Sequence, residues 1–196
     1  MTFAELVAEV YTLTNRPDLV AETKTAVRVA TLKAHQSDFY SKDIHETGVV
    51  FPASAYIQSL DYISLISNFR ALKYFRRVVN ANDTSGVPFS VLTPDELIDS
   101  YNIPKVNVAY VAGRVIEFRS AVSFQFGLMG CYVNPIVREG AYASWVAEQH
   151  PYVIVFEAAR VVFKAIGYDE QSASFERLVA EQFALLRMSA LSDVGY

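Results

Sequence analysis

Cysteine is nearly absent from this chain: Cys131 stands alone among 196 residues. A lone cysteine excludes an internal disulfide and argues against a cysteine-built metal site, so the fold has to rest on a packed core in a reducing compartment. With apolar neighbours on both sides, Cys131 reads as a small core residue ahead of a reactive thiol. Charge is also scarce. Charged residues make up 19% of the chain against 52% hydrophobic ones, so part of the apolar excess is expected to face another subunit. The 17 Lys and Arg against 21 Asp and Glu give 17 − 21 = −4, and that balance argues against tight nucleic-acid binding, which needs clustered cations. No run of about eighteen apolar residues occurs, so no membrane-spanning helix is expected. Glu5 and Glu9 stand where a secretory leader would carry basic residues.

Motifs that carry chemistry are missing as well. GxxxxGK[ST], GxGxxG and GxSxG do not occur, and His35, His45 and His150 lack paired-ligand spacing, so no metal, cofactor or catalytic residue is assigned. Asp95 with Glu96 and Asp169 with Glu170 stand at helix starts, where the helix dipole accounts for them. The densest basic run is Arg70, Lys73, Arg76 and Arg77. Its alternation with Leu72, Phe75 and Val78 suits a strand with one wet face better than a phosphate site.

What the chain does have is apolar periodicity, clearest from Gly140 to Ser192. The spacing predicts one helix through Trp145, across Pro151, to Ile166, with Tyr152, Val155, Phe156, Ala159, Val162 and Phe163 on a stripe and Ile154, Ala158, Val161 and Ala165 on another face. Glu157, Arg160 and Lys164 are left as a narrow polar line, so this helix is expected to be covered on most sides. Gly167 stops it. A second helix from Asp169 sets Phe175, Leu178, Val179, Phe183 and Leu186 on one face. Trp145, Phe156, Phe163 and Phe183 are the expected core anchors.

At the other end, Thr2 is placed to cap a helix carrying Phe3, Leu6, Val7 and Val10, and Pro17-Asp18 opens a second helix over Leu19 to Ser37. The pair has the length of a helix-turn-helix but no basic recognition face, which favours plain hairpin packing. From Asp38 to Pro135 the pattern changes to short runs rich in Val, Ile, Tyr and Phe, broken by turn residues. Strands are expected at Ile44 to Phe51, Tyr56 to Ser64, Leu72 to Val79, Val106 to Val111, Val115 to Ser120 and Ser123 to Tyr132. A hairpin turn is expected at Ala112-Gly113 and a capped short helix at Thr93 to Tyr101. The predicted fold is therefore mainly α with a β insertion (α+β): a helical bundle of N- and C-terminal helix pairs with a small antiparallel sheet between them. It forms a single domain made of a hairpin (1–37), a β-rich insertion (38–135), a helix pair (140–188) and a tail (189–196).

The order of these elements resembles the head-to-tail adaptor, or connector, proteins of tailed bacteriophages. The residues that carry the likeness are Val10-Tyr11-Thr12-Leu13-Thr14-Asn15-Arg16-Pro17-Asp18-Leu19 with Ser37-Asp38-Phe39-Tyr40, then Tyr132-Val133-Asn134-Pro135, Ser144-Trp145-Val146, His150-Pro151, Ala158-Ala159 and Gly167-Tyr168-Asp169-Glu170. The resemblance implies a structural virion protein, assembled in the host cytoplasm, that forms a ring of twelve copies at the neck. Such a ring binds the portal, extends the DNA channel and receives tail or nozzle proteins, and no enzymatic activity is implied. The C-terminal segment of such proteins often reaches into the portal. That expectation falls here on Leu191, Val194 and Tyr196. Twelve copies at −4 give an assembly charge of about −48, a channel past which DNA slides without sequence-specific binding. Two other readings stay open: a tail-completion or terminator protein that contacts the tail tube, and a small cytoplasmic hydrolase using Cys131 with His150 or His45.

Overall fold

A computed structural model of the chain describes residues 1–80, 83, 85–98 and 103–192. In chain order it contains α1 (Phe3–Thr14), α2 (Val20–Gln36), β1 (Ile44–Asp61), α3 (Tyr62–Leu65), β2 (Phe69–Val78), β3 (Val87–Val91), β4 (Val108–Ala112), β5 (Val115–Val133), α4 (Trp145–Gln149), α5 (Pro151–Ala165) and α6 (Asp169–Ser192). Short 3-10 turns stand at Ser41–Asp43, Pro94–Glu96 and Glu139–Ala141. The chain divides into two compact units. One comprises 1–43 with 134–196, the other 44–133.

The helical unit is built around α5. Val153, Ile154, Val155, Ala158, Ala159 and Val162 of this helix are all buried, because α1, α2 and α6 each pack on it. The core adds Phe3, Leu6, Val7 and Val10 from α1, Ala26, Val27, Ala30 and Ala34 from α2, and Leu186 from α6. Helix starts and stops follow local chemistry. The Thr2 hydroxyl accepts the Glu5 N–H while the Glu5 carboxylate accepts the Thr2 N–H, a reciprocal cap that satisfies two orphan donors. Asn15 closes α1 in the left-handed conformation at φ 51°. The single helix expected across Pro151 is two helices. Proline has no N–H to give to the preceding turn and pushes His150 out of the helical region, to φ −134° and ψ 53°, so α4 ends and α5 begins with Pro151 in its first turn.

In the strand unit, β5 pairs along its whole length with β1, from Ile44↔Tyr132 to Asp61↔Val115. On its other edge, the C-terminal half of β5 pairs with β2 and the N-terminal half with β4. The strand β3 joins β2 antiparallel, through Phe75↔Phe89, and joins β4 parallel, through Ser90↔Val108. The circuit β5-β2-β3-β4 therefore closes on itself, with β1 as a fifth strand outside it. Among the described residues, the outer edge of β1 carries no partner strand.

This arrangement corrects the expected fold class. The molecule is α+β with a four-stranded closed barrel plus one strand; it is not a helical bundle with a small sheet. The reason lies in two long strands, of 18 and 19 residues, that sequence reading cuts in half. Pro52 interrupts the pattern of β1, but the ladder absorbs it in irregularities between Val50 and Ile57, on a strand whose other edge needs no donor. Continuity of β5 through Ser120 to Ser123 gives it the length to curl and pair with two strands on one side. Phe75, Phe89, Phe118 and Phe124 fill the interior with Phe51, Ile116 and Met129. Phe75 lies 4.0 Å from Phe118 and 5.1 Å from Phe89, ring centre to ring centre. Gly127 is needed beside them, since a Cβ there would overlap the Phe75 ring.

Candidate functional site

The helical unit brings together three polar side chains that lie far apart in sequence. His35, in the last turn of α2, has Nδ1 2.7 Å from Asp43 Oδ1 and Nε2 2.9 Å from Ser144 Oγ. The Trp145 indole N–H donates to the same Asp43 oxygen at 2.7 Å, and the Ala147 N–H donates to Ser144 Oγ at 3.2 Å as the cap of α4. Asp43 as a carboxylate only accepts, so the imidazole carries a proton on Nδ1. The order serine, histidine, aspartate is that of an acyl-transfer triad. A nucleophile must also reach a substrate, whereas Ser144 is 6% exposed, His35 2% and Asp43 4%, and Trp145 stands edge-on to both His35 and Tyr40. The network ties the end of α2, the turn before β1 and the start of α4 into one block, and packing is the role its geometry supports. Spacing alone could not reveal it, although Ser144 before Trp145-Val146-Ala147 is a legible cap.

Of the other reactive candidates, His45 and Cys131 stand opposite each other in the β1–β5 ladder. Cys131 on β5 is fully buried, its thiol directed at the His45 carbonyl at 3.7 Å, and burial pushes its pKa up to about 11. A thiol held protonated in this way is a poor nucleophile. His45 offers Cys131 its backbone, and His150 belongs to the helical unit, where Nε2 sits 3.2 Å from Ser189 Oγ. Among the described residues no cluster of three His, Cys, Asp or Glu is placed to hold a metal.

The expected core anchors lie in or against the helical core. Phe163 is buried on α5, while Trp145, Phe156 and Phe183 are half-buried and pack against the cluster from outside. Of the portal-contact candidates, Leu191 falls in the last turn of α6, and Val194 and Tyr196 lie outside the described residues. Two surface features stand out instead. A groove of about 550 Å³ runs between α2 and α6, with Val29, Leu32 and Phe183 as its apolar lining and Lys33 and Arg187 as its cations. Lys33 also spans 2.7 Å to Glu157, a carboxylate 1% exposed on α5 that Arg160 clasps at 2.8 and 3.0 Å. Burial alone would raise the Glu157 pKa; the hydrogen bonds from Arg160 and Lys33 outweigh it and hold the group below its ordinary value. The sequence pattern places Glu157 on a narrow polar line of the helix and does not reveal this pairing.

On the strand unit, Val50, Tyr56, Ile57, Val79 and Val122 are exposed apolar side chains. Two of the basic residues of β2 lie on aromatic faces, Arg76 5.3 Å from the Tyr74 ring centre and Lys73 5.7 Å from that of Tyr132, while Arg77 donates to Ser120 Oγ at 3.3 Å. Tyr74 in turn donates to Glu46. These cations are spread along a strand and engaged locally, which gives no convergent anion site. Asp83 rims a neighbouring cleft of about 690 Å³. Its carboxyl is drawn down to about 2 by the Ser85 hydroxyl and by the Val79 and Ser85 N–H groups.

Fold and surface together define an α+β protein with exposed apolar side chains on both of its units and a buried polar block in one. No protein-family model matches this chain, and no curated protein matches it. Among the described residues no helix is long and apolar enough to cross a membrane.

Proposed function

We propose that this chain is a structural virion protein, a head-to-tail adaptor whose copies form a ring that joins the portal to the tail and extends the DNA channel. The observation that carries the reading is the distribution of exposed apolar side chains. Val29, Leu178, Leu185 and Met188 stand out on the helical unit, and Val50, Tyr56, Ile57, Val79 and Val122 on the strand unit. A subunit in a ring needs two different sticky surfaces for its two neighbours and a further one for the next component of the particle. The resemblance to phage connectors supplies the identity of those components, and twelve is the copy number it implies. Leu191, Val194 and Tyr196 are the proposed portal contacts. With a net charge of −4 on each copy, the ring passes DNA without gripping it.

The test is imaging of the purified chain alone and mixed with its portal and tail proteins. Rings, alone or on the portal, are the expected result. A chain that stays a monomer and binds neither partner overturns the proposal. Deleting residues 189–196 is expected to leave a folded protein with weakened portal attachment, and unchanged attachment removes that segment from the contact.

A further inference from the structure

Two surfaces of the helical unit, both formed in part by α6, differ in shape and charge. The first is a ridge. Leu178, Leu185 and Met188, spaced by seven and three residues, are 40%, 52% and 66% exposed. At about 100° per residue they fall on one side of the helix, turned away from the buried seam of Ser172, Val179 and Leu186. Glu181 lies within the ridge and pairs with Arg177 one turn back at 2.9 Å, with more than half of its side chain still exposed. The second surface is the α2–α6 groove, where Phe183 and Arg187 supply the α6 wall and Val29, Leu32 and Lys33 the α2 wall. The Lys33 ammonium lies 5.6 Å from the Phe183 ring centre and is held by Glu157, which leaves Arg187 as the second cation of a mostly apolar groove.

A row of three apolar side chains with one carboxylate matches a largely apolar trough that carries the Arg187 cation, Lys33 being engaged by Glu157. Because ridge and groove face different directions around α6, one molecule presents both and a second molecule receives one of them. We propose that the Leu178–Leu185–Met188 ridge of α6 docks into the α2–α6 groove of a second copy of this chain, with Glu181 meeting Arg187. Contacts of this kind are head-to-tail, so each copy leaves one ridge and one groove for the next, and the chain of copies closes into a ring when the rotation permits. The inference rests on the ring reading above and gives it a subunit interface.

The test uses the full chain, alone and with the portal protein, read by sedimentation and by oxidative crosslinking. Leu185→Glu is expected to weaken self-association at least about 100-fold, and Glu181→Arg or Arg187→Glu each about tenfold. The double variant Glu181→Arg/Arg187→Glu should return to within about threefold of the parent, a rescue that misfolding would not produce. Val29→Cys combined with Leu185→Cys should give a ladder of crosslinked multimers, while either cysteine alone gives none; the native Cys131 is buried and does not compete. Dimers from Leu185→Cys alone would show ridge meeting ridge and overturn the proposal. Rings that form without the ladder overturn this interface and leave the adaptor reading standing. A parent chain that never associates, on the portal or off it, overturns both.

Discussion

Replacing Glu157 with glutamine should destabilise the helical unit by about 2 to 3 kcal/mol at pH 7. The carboxylate is 1% exposed and accepts three charge-assisted hydrogen bonds, one from Lys33 at 2.7 Å and two from Arg160 at 2.8 and 3.0 Å. Hydrogen bonds to a charged group are worth about 1.5 to 3 kcal/mol each, which sets an upper bound well above the expected loss. Two features lower it. The Lys33 side chain is 49% exposed and Arg160 19%, so both cations recover water when the carboxylate goes, and glutamine keeps one oxygen acceptor. The pH dependence has a definite sign. The folded-state pKa of Glu157 is depressed below its ordinary 4.5, so its contribution is fully present above about pH 4.5 and is lost as pH falls through the folded value. Glutamine does not titrate there. The gap between parent and variant should therefore be widest near neutrality and close on acidification. Urea unfolding followed by far-ultraviolet circular dichroism at a series of pH values measures it. A gap below about 0.5 kcal/mol at neutral pH, or one that widens toward acid, would refute the account of a buried carboxylate held charged by two cations.

Three further outcomes are expected. Ser144→Ala removes the cap of α4 and the hydroxyl partner of His35 and should cost about 1 to 2 kcal/mol in chemical unfolding, while a serine-directed fluorophosphonate should leave the native chain unlabelled. A mass shift at Ser144 would instead make the buried triad reactive. Cys131 should resist iodoacetamide at neutral pH until the strand unit unfolds, since burial holds its pKa at about 11; rapid labelling of the folded chain would contradict that. Gly127→Ala puts a methyl group into the Phe75 ring and should lower stability by about 1 to 3 kcal/mol in a thermal melt, and a parent-like melt would show that the barrel interior has room to spare.

The helices were legible where chemistry is local. Thr2 with Glu5 marks the start of α1, and Gly167 is a visible stop at φ 77°, which few other residues adopt cheaply, whereas the spacing reads through the break at Pro151 as continuous helix. The strands were legible as β but not as a topology. Reading Pro52 and the Ser120–Ser123 stretch as ends turned two long strands into four, and with them went the pairing of one strand with three others that closes the barrel. Val87–Val91 escaped notice altogether, because five residues containing a proline look like loop until β2 and β4 take them from either side. The capped segment at Thr93 has its reciprocal Thr93–Glu96 bonds and forms a 3-10 turn over Pro94–Glu96, while 99–102, where the expected helix ends, lie outside the described residues. The polar block of His35, Asp43 and Ser144 and the burial of Glu157 depend on segments meeting across about a hundred residues or more, where neither period nor spacing carries a signal.

The flank of β1 that has no partner strand among the described residues carries a liability of its own. From Thr47 to Leu60 this strand holds no charged residue, so along that rim no ionic side chain wards off a stranger's backbone. Pro52 interrupts the ladder between Val50 and Ala55, so it divides the strand into two lengths, each too short to template a long ribbon. That one imino acid is thus a safeguard against sideways accretion, and expressing the chain with Val at position 52 would exchange a slightly tidier ladder for clumping.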